Sequence, residues 1–558
     1  MSHPRQLPTV QAKALVTGTP EFEALRKTLF EEFASKVPPE LRLPEELIRN
    51  PPTNVTGIPR ESGILSPAEV DITEKYDATA LAAAIASKEL TAVAVATAFA
   101  KRAIIAHQLT SCLTEWFMDE AIETARALDE HLATTGETVG PLHGVPVSIK
   151  EHMPMAGHWS GFGFFDTRVK ETKDSDMLAI LRAAGAVFYC KTNQPQAIMH
   201  LESCSGYWGR TLNPHNIYLS AGGSSGGEGA LVAMRGSVLG VGSDVGGSVR
   251  GPAAYSGIFG FKPTSYSVPT RGFLPGGTLT ELNVLASAGP MCATLRDMDL
   301  FMSVVSAAKP YMNDPRVIPI SWTGLNTTPK PGPLKIGIML NDGFITPQPP
   351  VANALKWATS KLEGFPDEFS AKTFTPYRVA DAMRSLSLAY GPDGGRAIRA
   401  HLDSTGEPAL PLTDWLLGFV DGVDLSKEEL LQQRDIRNEF RCDFVRHWNS
   451  HDIDVLICPA FVGPAAQHDT SFYWNYTAFW NYVDYPAASI PTPIKAGKKG
   501  EEKYASSEVL GPQDEKVRGL WENGDFEGAP INLQIVARRY HDNDLFEALA
   551  RLKKVFDL

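Results

Sequence analysis

The sequence predicts one α/β domain with an N-terminal helical arm, and three observations carry that expectation. The helical stretch Ser175 to Ala184 is stopped by Gly185 and runs at once into the apolar Ala186–Cys190. That is a helix feeding a strand buried on both faces. Val145 to Lys150 alternates, with Val145, Val147 and Ile149 on one face and Ser148 and Lys150 on the other. No repeat, linker or composition shift divides the 558 residues once the first 70 are passed. Length alone does not call for a second domain, because large α/β enzymes exceed the ordinary domain size.

The first 70 residues are polar and proline-rich, with one helical candidate near Glu21 to Lys36. They read as an arm wrapped on the body or on a partner subunit, and residues 71–558 read as one catalytic domain. Asp77 predicts an N-cap for a helix over Ala78 to Lys88, and Thr91 for a second helix running past Arg102. Leu334 to Leu340 and Asp454 to Ala460 are further strand candidates. Lys495 to Glu527 is charged and irregular, which suggests a surface excursion. The chain closes on an amphipathic helix capped at Asp542, with Leu545, Leu549, Leu552 and Phe556 on one face.

Composition removes several function classes. A net charge of −12 argues against a nucleic-acid surface, which needs clustered Lys and Arg. There is no His-Glu-x-x-His, no Walker loop and no Gly-x-Gly-x-x-Gly, so no metal or organic cofactor is expected. Six cysteines without a Cys-x-x-Cys read as buried free thiols. Met1–Arg5 lacks the apolar core of a signal peptide, and Ala92–Ala100 is too short to span a bilayer. A cytoplasmic protein is the expectation.

The chemistry concentrates in residues 222–260, which hold 13 of the 47 glycines. Glycine lets backbone N–H groups converge on one point. Tight turns or an anion-binding loop would be the bland alternatives, but a Walker-type loop ends in Gly-Lys-Ser/Thr and this one does not. Gly246 and Gly247 directly precede Ser248. Successive N–H groups of Val245, Gly246, Gly247 and Ser248 fit an oxyanion hole for a tetrahedral intermediate. A serine hydroxyl needs a base to become a nucleophile. Gly222–Gly226 also matches the Gly-x-Ser-x-Gly elbow, with Ser224 at its centre. That elbow requires a clear apolar strand before it, and Asn216–Ala221 is a weak one. The alternative base is a lysine.

The segment Gly222–Pro252 resembles the signature of the amidase signature family, and Pro141–Lys150 resembles that family's lysine motif. Lys191–Asn193, Gly209–Pro214, Pro486–Pro491 and Gly528–Val536 match further family blocks, in family order, over roughly residues 75–555. Gly226-Gly227-Glu228-Gly229-Ala230-Leu231, together with Ser62–Ser66 in the arm, resembles the fungal acetamidases most closely. The resemblance implies a mixed central sheet sandwiched between helical layers. It implies a Ser–Ser–Lys triad: Ser248 as the acylated nucleophile, Ser224 on a cis peptide as the bridge, and Lys150 as the base. It makes Ser225, Asp244 and Arg250 supports of the loop, and it puts Ile198 against the substrate.

The substrate class that follows is a small carboxamide, cleaved to acid and ammonia or amine. Esters or carbamates are the alternative for the same triad, and a transamidating subunit of an amidotransferase is a more distant one. A homodimer is expected because relatives often dimerise. Several aromatics near the motifs (Trp159, Phe162, Tyr207, Trp208, Trp474 and Trp480) suggest either an aromatic-rich pocket or ordinary core. His152 and His158 lie near the lysine strand, where contact with substrate is one reading and a surface or packing role the plainer one. Ser306-Ala307-Ala308-Lys309 matches Ser-x-x-Lys and reads as coincidence.

Overall fold

Eleven strands form one mixed sheet in this computed structural model, which describes residues 6–273 and 283–558. In chain order they are β1 (Leu113–Trp116), β2 (Pro146–Lys150), β3 (Val187–Thr192), β4 (Leu239–Asp244), β5 (Phe259–Lys262) and β6 (Ser287–Cys292). There follow β7 (Leu334–Ile338), β8 (Phe369–Thr373), β9 (Val455–Pro459), β10 (Ala487–Lys495) and β11 (Pro530–Val536). The spatial order is β1-β3-β2-β4-β6-β5-β10-β11-β9-β7-β8. β2 runs parallel to both β3 and β4, and β7 parallel to β8 and β9. The other neighbours are antiparallel. The predicted strands Val145–Lys150, Ala186–Cys190, Leu334–Leu340 and Asp454–Ala460 correspond to β2, β3, β7 and β9.

The sheet is sandwiched between helical layers, and its inner strands are buried on both faces. In β9, Val455 and Ile457 join one buried apolar cluster while Leu456 and Cys458 join another. Successive strand side chains point to opposite faces, so continuous apolar runs are what a doubly covered sheet demands. This is why Ala186–Cys190 reads as unbroken hydrophobicity.

Helix α1 (Pro20–Ser35) starts where Thr19 accepts the Phe22 N–H and Pro20 opens the first turn. Its Phe22, Leu29 and Phe33 are buried in the same cluster as the body, and Val10 N–H donates to Gln108 O at 2.9 Å. The arm therefore packs on its own chain. Asp77 and Thr91 cap α2 (Ala78–Ala86) and α3 (Ala92–Thr110) through their side chains. α4 (Asp176–Ala183) precedes β3. Residues Met1–Arg5, read above for their lack of an apolar core, lie outside the described residues. Among the described residues no helix is long and apolar enough to cross a membrane.

The doubt about an elbow at Ser224 holds, and two local expectations need correction. Asn216–Ser220 is a strand, but it pairs with Leu212–Asn213 and lies outside the central sheet, so it does not lead into a nucleophile elbow. The stretch 495–527 is not wholly irregular. It contains a helix over Pro512–Asn523 whose Pro512, Asp514 and Glu515 are start signals, and whose Val517 and Trp521 are buried. The last helix, Asp542–Phe556, has His541 as its N-cap. Asp542 is its first residue and instead accepts Thr264 N–H (2.8 Å) and Thr264 Oγ1 (2.6 Å). Leu545, Leu549, Leu552 and Phe556 do face the core, and each buried Leu stabilises by roughly 1.5–3 kcal/mol before entropy is counted.

Candidate active site

The parallel pairing of β2 with β4 brings the C-terminal ends of both strands to one edge. Lys150 ends β2. Asp244 ends β4, and the loop carrying Ser248 leaves from there. Lys150 is fully buried, and its Nζ lies 2.6 Å from Ser224 Oγ and 3.1 Å from Ser243 Oγ. Burial disfavours its charged form and brings the amine down to about 7, against the opposing negative charges of Asp244 and Glu228. A large share of Lys150 is therefore neutral, and able to accept a proton, near neutral pH.

Ser224 follows a cis Gly223–Ser224 peptide and is also fully buried. Helix α5 (Gly226–Ala233) starts two residues later. Ser225 ties this turn to the other: its N–H donates to Ser248 O at 3.1 Å, and its Oγ reaches Ser243 O at 3.4 Å.

Asp244 and Arg250 brace the loop between β4 and helix α6 (Arg250–Ser256). Both side chains are buried and paired at 2.9 Å. The Asp244 carboxylate also accepts the N–H groups of Gly247 (2.8 Å) and Val249 (3.1 Å). Burial alone would raise its pKa, but the Arg250 guanidinium holds it well below the usual carboxylate range. Arg250 reaches further, to Thr477 O at 3.0 Å, Gln534 Oε1 at 2.6 Å and Asn481 Oδ1 at 2.6 Å.

The four N–H groups expected to form the oxyanion hole are not equivalent. Gly247, at φ +125°, turns its N–H back onto Asp244, so that donor is occupied. Among the described residues, no acceptor takes the N–H groups of Val245, Gly246 or Ser248. The absence of a side chain at Gly247 is required, because a Cβ there would collide with Thr477.

A cavity of about 920 Å³ opens beside this loop, and Ser224, Ser248, Val245 and Ile198 line it. Its walls include Phe162, Phe164, Phe273 and Tyr390. Of the aromatics singled out in the sequence, only Phe162 reaches the cavity. Tyr207 and Trp208 pack around Arg168, and Trp474 and Trp480 belong to the core. His152 lines the cavity, bonded to Gln194 Oε1 at 3.1 Å, and burial lowers its pKa well below the usual value. His158 lies between Glu115 and Glu120, away from the cavity. Ser306 Oγ approaches Ile320 O at the surface, so Ser306 and Lys309 form no site. No hydrogen bond joins Ser224 Oγ to Ser248 Oγ. Catalytic contacts of this kind often tighten only in the substrate complex.

Sequence reading missed Ser243 as a second contact of Lys150. It missed Tyr390, Thr477 and Asn481 entirely, since they come from distant helices and carry no motif. Gln534 lay within a recognised block, but its role as an Arg250 partner was not visible there.

The amidase family profile matches residues 94–546. A Schizosaccharomyces pombe protein named as an amidase is 40% identical over 500 residues, covering 89% of this chain and 93% of its own length. An acetamidase of Emericella nidulans is 34% identical over 499 residues, covering 87% of this chain and 90% of its own. The solved structure of a fatty acid amide hydrolase superimposes with a TM-score of 0.86 at 31% identity, covering 97% of this chain and 95% of its own. The chain belongs to the amidase family of amide-hydrolysing enzymes.

Proposed function

We propose that the chain hydrolyses small carboxamides to a carboxylic acid and ammonia or amine through an acyl-enzyme on Ser248. The observation that carries this reading is a buried Lys150 amine, its charged form disfavoured by burial, 2.6 Å from Ser224 Oγ at a cavity that Ser224 shares with Ser248. Ser248 Oγ attacks the amide carbon while its proton passes to Ser224, whose own proton passes to Lys150 Nζ. The carbonyl oxygen becomes an oxyanion facing the free N–H groups of Val245, Gly246 and Ser248. Each such donor contributes roughly 2.7–4 kcal/mol to lowering the barrier. The C–N bond breaks as the proton returns through Ser224 to the leaving nitrogen. Water then repeats the sequence in reverse on the acyl-enzyme.

Cavity size supports an apolar acyl group larger than acetyl. A volume of about 920 Å³ walled by Phe162, Phe164, Ile198 and Phe273 far exceeds the needs of acetamide. Ser248→Ala is expected to abolish turnover and labelling by a fluorophosphonate probe, and normal labelling of that variant would overturn the assignment. A panel of amides, esters and carbamates of graded acyl length reads the leaving-group and acyl preferences.

A further inference from the structure

Five consecutive carbonyls, from Asp244 to Ser248, all have donors. Asn481 Nδ2 reaches Asp244 O at 3.5 Å, Tyr390 Oη donates to Val245 O at 2.7 Å, and Thr477 Oγ1 donates to Gly246 O at 2.7 Å. Gly251 N–H donates to Gly247 O at 2.7 Å, and Ser225 N–H to Ser248 O at 3.1 Å. A trans peptide points its N–H opposite to its carbonyl. Fixing a carbonyl therefore fixes where the next residue's N–H points. Thr477 in this way directs the Gly247 N–H, which is already taken by Asp244. Tyr390 directs the Gly246 N–H, which no described residue accepts.

Tyr390 is the last residue of α7 (Val379–Tyr390), far from every family block recognised in the sequence. Its ring stands edge-on to Trp474 at 5.3 Å between centroids, and only 9% of the residue is exposed. The close approach depends on glycine, since a Cβ on Gly246 would lie 2.8 Å from Tyr390 Oη. The hydroxyl and the loop thus form one fitted contact at the cavity wall.

We infer that Tyr390 is a positioning residue for the oxyanion hole: by holding the Val245 carbonyl, its hydroxyl aims the Gly246 N–H at the oxygen of the tetrahedral intermediate. This rests on the acyl-enzyme reading above. Tyr390 touches the loop and acts through it, so its contribution grows as charge develops on the substrate oxygen and is small in the ground state.

The test is Tyr390→Phe in the full chain, which removes the hydroxyl and keeps the ring against Trp474. With hexanoyl p-nitroanilide as substrate, kcat is expected to fall about tenfold with KM within about twofold, the pattern of an interaction made mainly in the transition state. Binding of pentyl trifluoromethyl ketone, which forms a tetrahedral adduct with an active serine, is expected to weaken by the same factor. Binding of hexan-1-ol, which carries no charge and cannot form a tetrahedral adduct, is expected to stay unchanged. An unchanged kcat, or a lower kcat with undiminished ketone affinity, would overturn the inference. Ser248→Ala run alongside separates the two levels: turnover surviving in that variant overturns the acyl-enzyme reading and the inference with it, whereas its loss beside a fully active Tyr390→Phe removes the inference alone.

Discussion

Lys150 Nζ stands 2.6 Å from Ser224 Oγ in a pocket of protein where neither side chain meets solvent. A proton-accepting amine must be unprotonated, and burial brings Lys150 down to about 7. Below that pH the ammonium form dominates and cannot take the Ser224 proton. kcat/KM is expected to decline towards acid with a midpoint near 7, approaching about tenfold per pH unit for a single titrating group. A profile flat from pH 8 to pH 5 would remove Lys150 as the base. Lys150→Ala is expected to lower kcat by roughly 10²–10⁴ with an unchanged circular dichroism spectrum.

Asp244 and Arg250 form a fully buried pair; Asp244 also accepts the N–H groups of Gly247 and Val249 in the loop that carries Ser248, and Arg250 donates to Thr477 O. Asp244→Asn leaves the guanidinium without its counter-charge, which costs about 3–5 kcal/mol in comparable buried pairs. The folded pKa of Asp244 is depressed, so its stabilisation is present above the unfolded carboxylate value of about 3.9 and is lost only as the pH falls through the folded value. Thermal melts of Asp244→Asn should therefore show a drop in Tm that is constant from pH 5 to pH 9. A drop that shrank steadily between pH 9 and pH 6 would contradict the assignment of the charge to Asp244.

Much of this site was legible because its parts lie within local motifs. The alternation of Val145 to Lys150 placed Lys150 and Ser148 on one strand face, and the glycines around Ser248 announced a loop whose backbone approaches other groups closely. Helix starts at Asp77 and Thr91 were readable because capping is a short-range hydrogen bond. Tyr390 and Thr477 were not readable. Their contacts to Val245 and Gly246 span 145 and 231 residues, and neither residue type in a helix signals a bond to a distant carbonyl. Asp542 shows the opposite error. Its position suited a cap, but Thr264 supplied two donors from across the fold and took its carboxylate.

Gly247 is fixed by conformation and by space together. Its φ of +125° is a region that residues with a Cβ rarely enter, and Thr477 occupies the place a Cβ would take. Gly247→Ala is expected to reduce kcat by roughly a hundredfold, comparable to losing one oxyanion donor, as Val245 to Ser248 shift to relieve the clash. Fluorophosphonate labelling should slow by a similar factor. Full activity would show that the loop tolerates a conformation different from the one described.

Glu228 lies beneath the lysine: its carboxylate accepts Ser148 Oγ at 2.5 Å and Thr192 Oγ1 at 2.8 Å, Ser148 sharing the strand face of Lys150 and Thr192 pairing with Lys150 across the sheet. Burial raises the Glu228 carboxyl to about 7, so it is ionised mainly above neutrality. Where ionised, it favours the charged form of Lys150 and opposes the effect of desolvation. Glu228→Gln keeps hydrogen-bonding capacity toward both hydroxyls and removes the charge. Lys150 should then lose its proton more readily, and the acid limb of kcat/KM should move to lower pH. A move to higher pH, or an unmoved limb in a variant with wild-type Tm, would mean that the titrating base is not the lysine above Glu228.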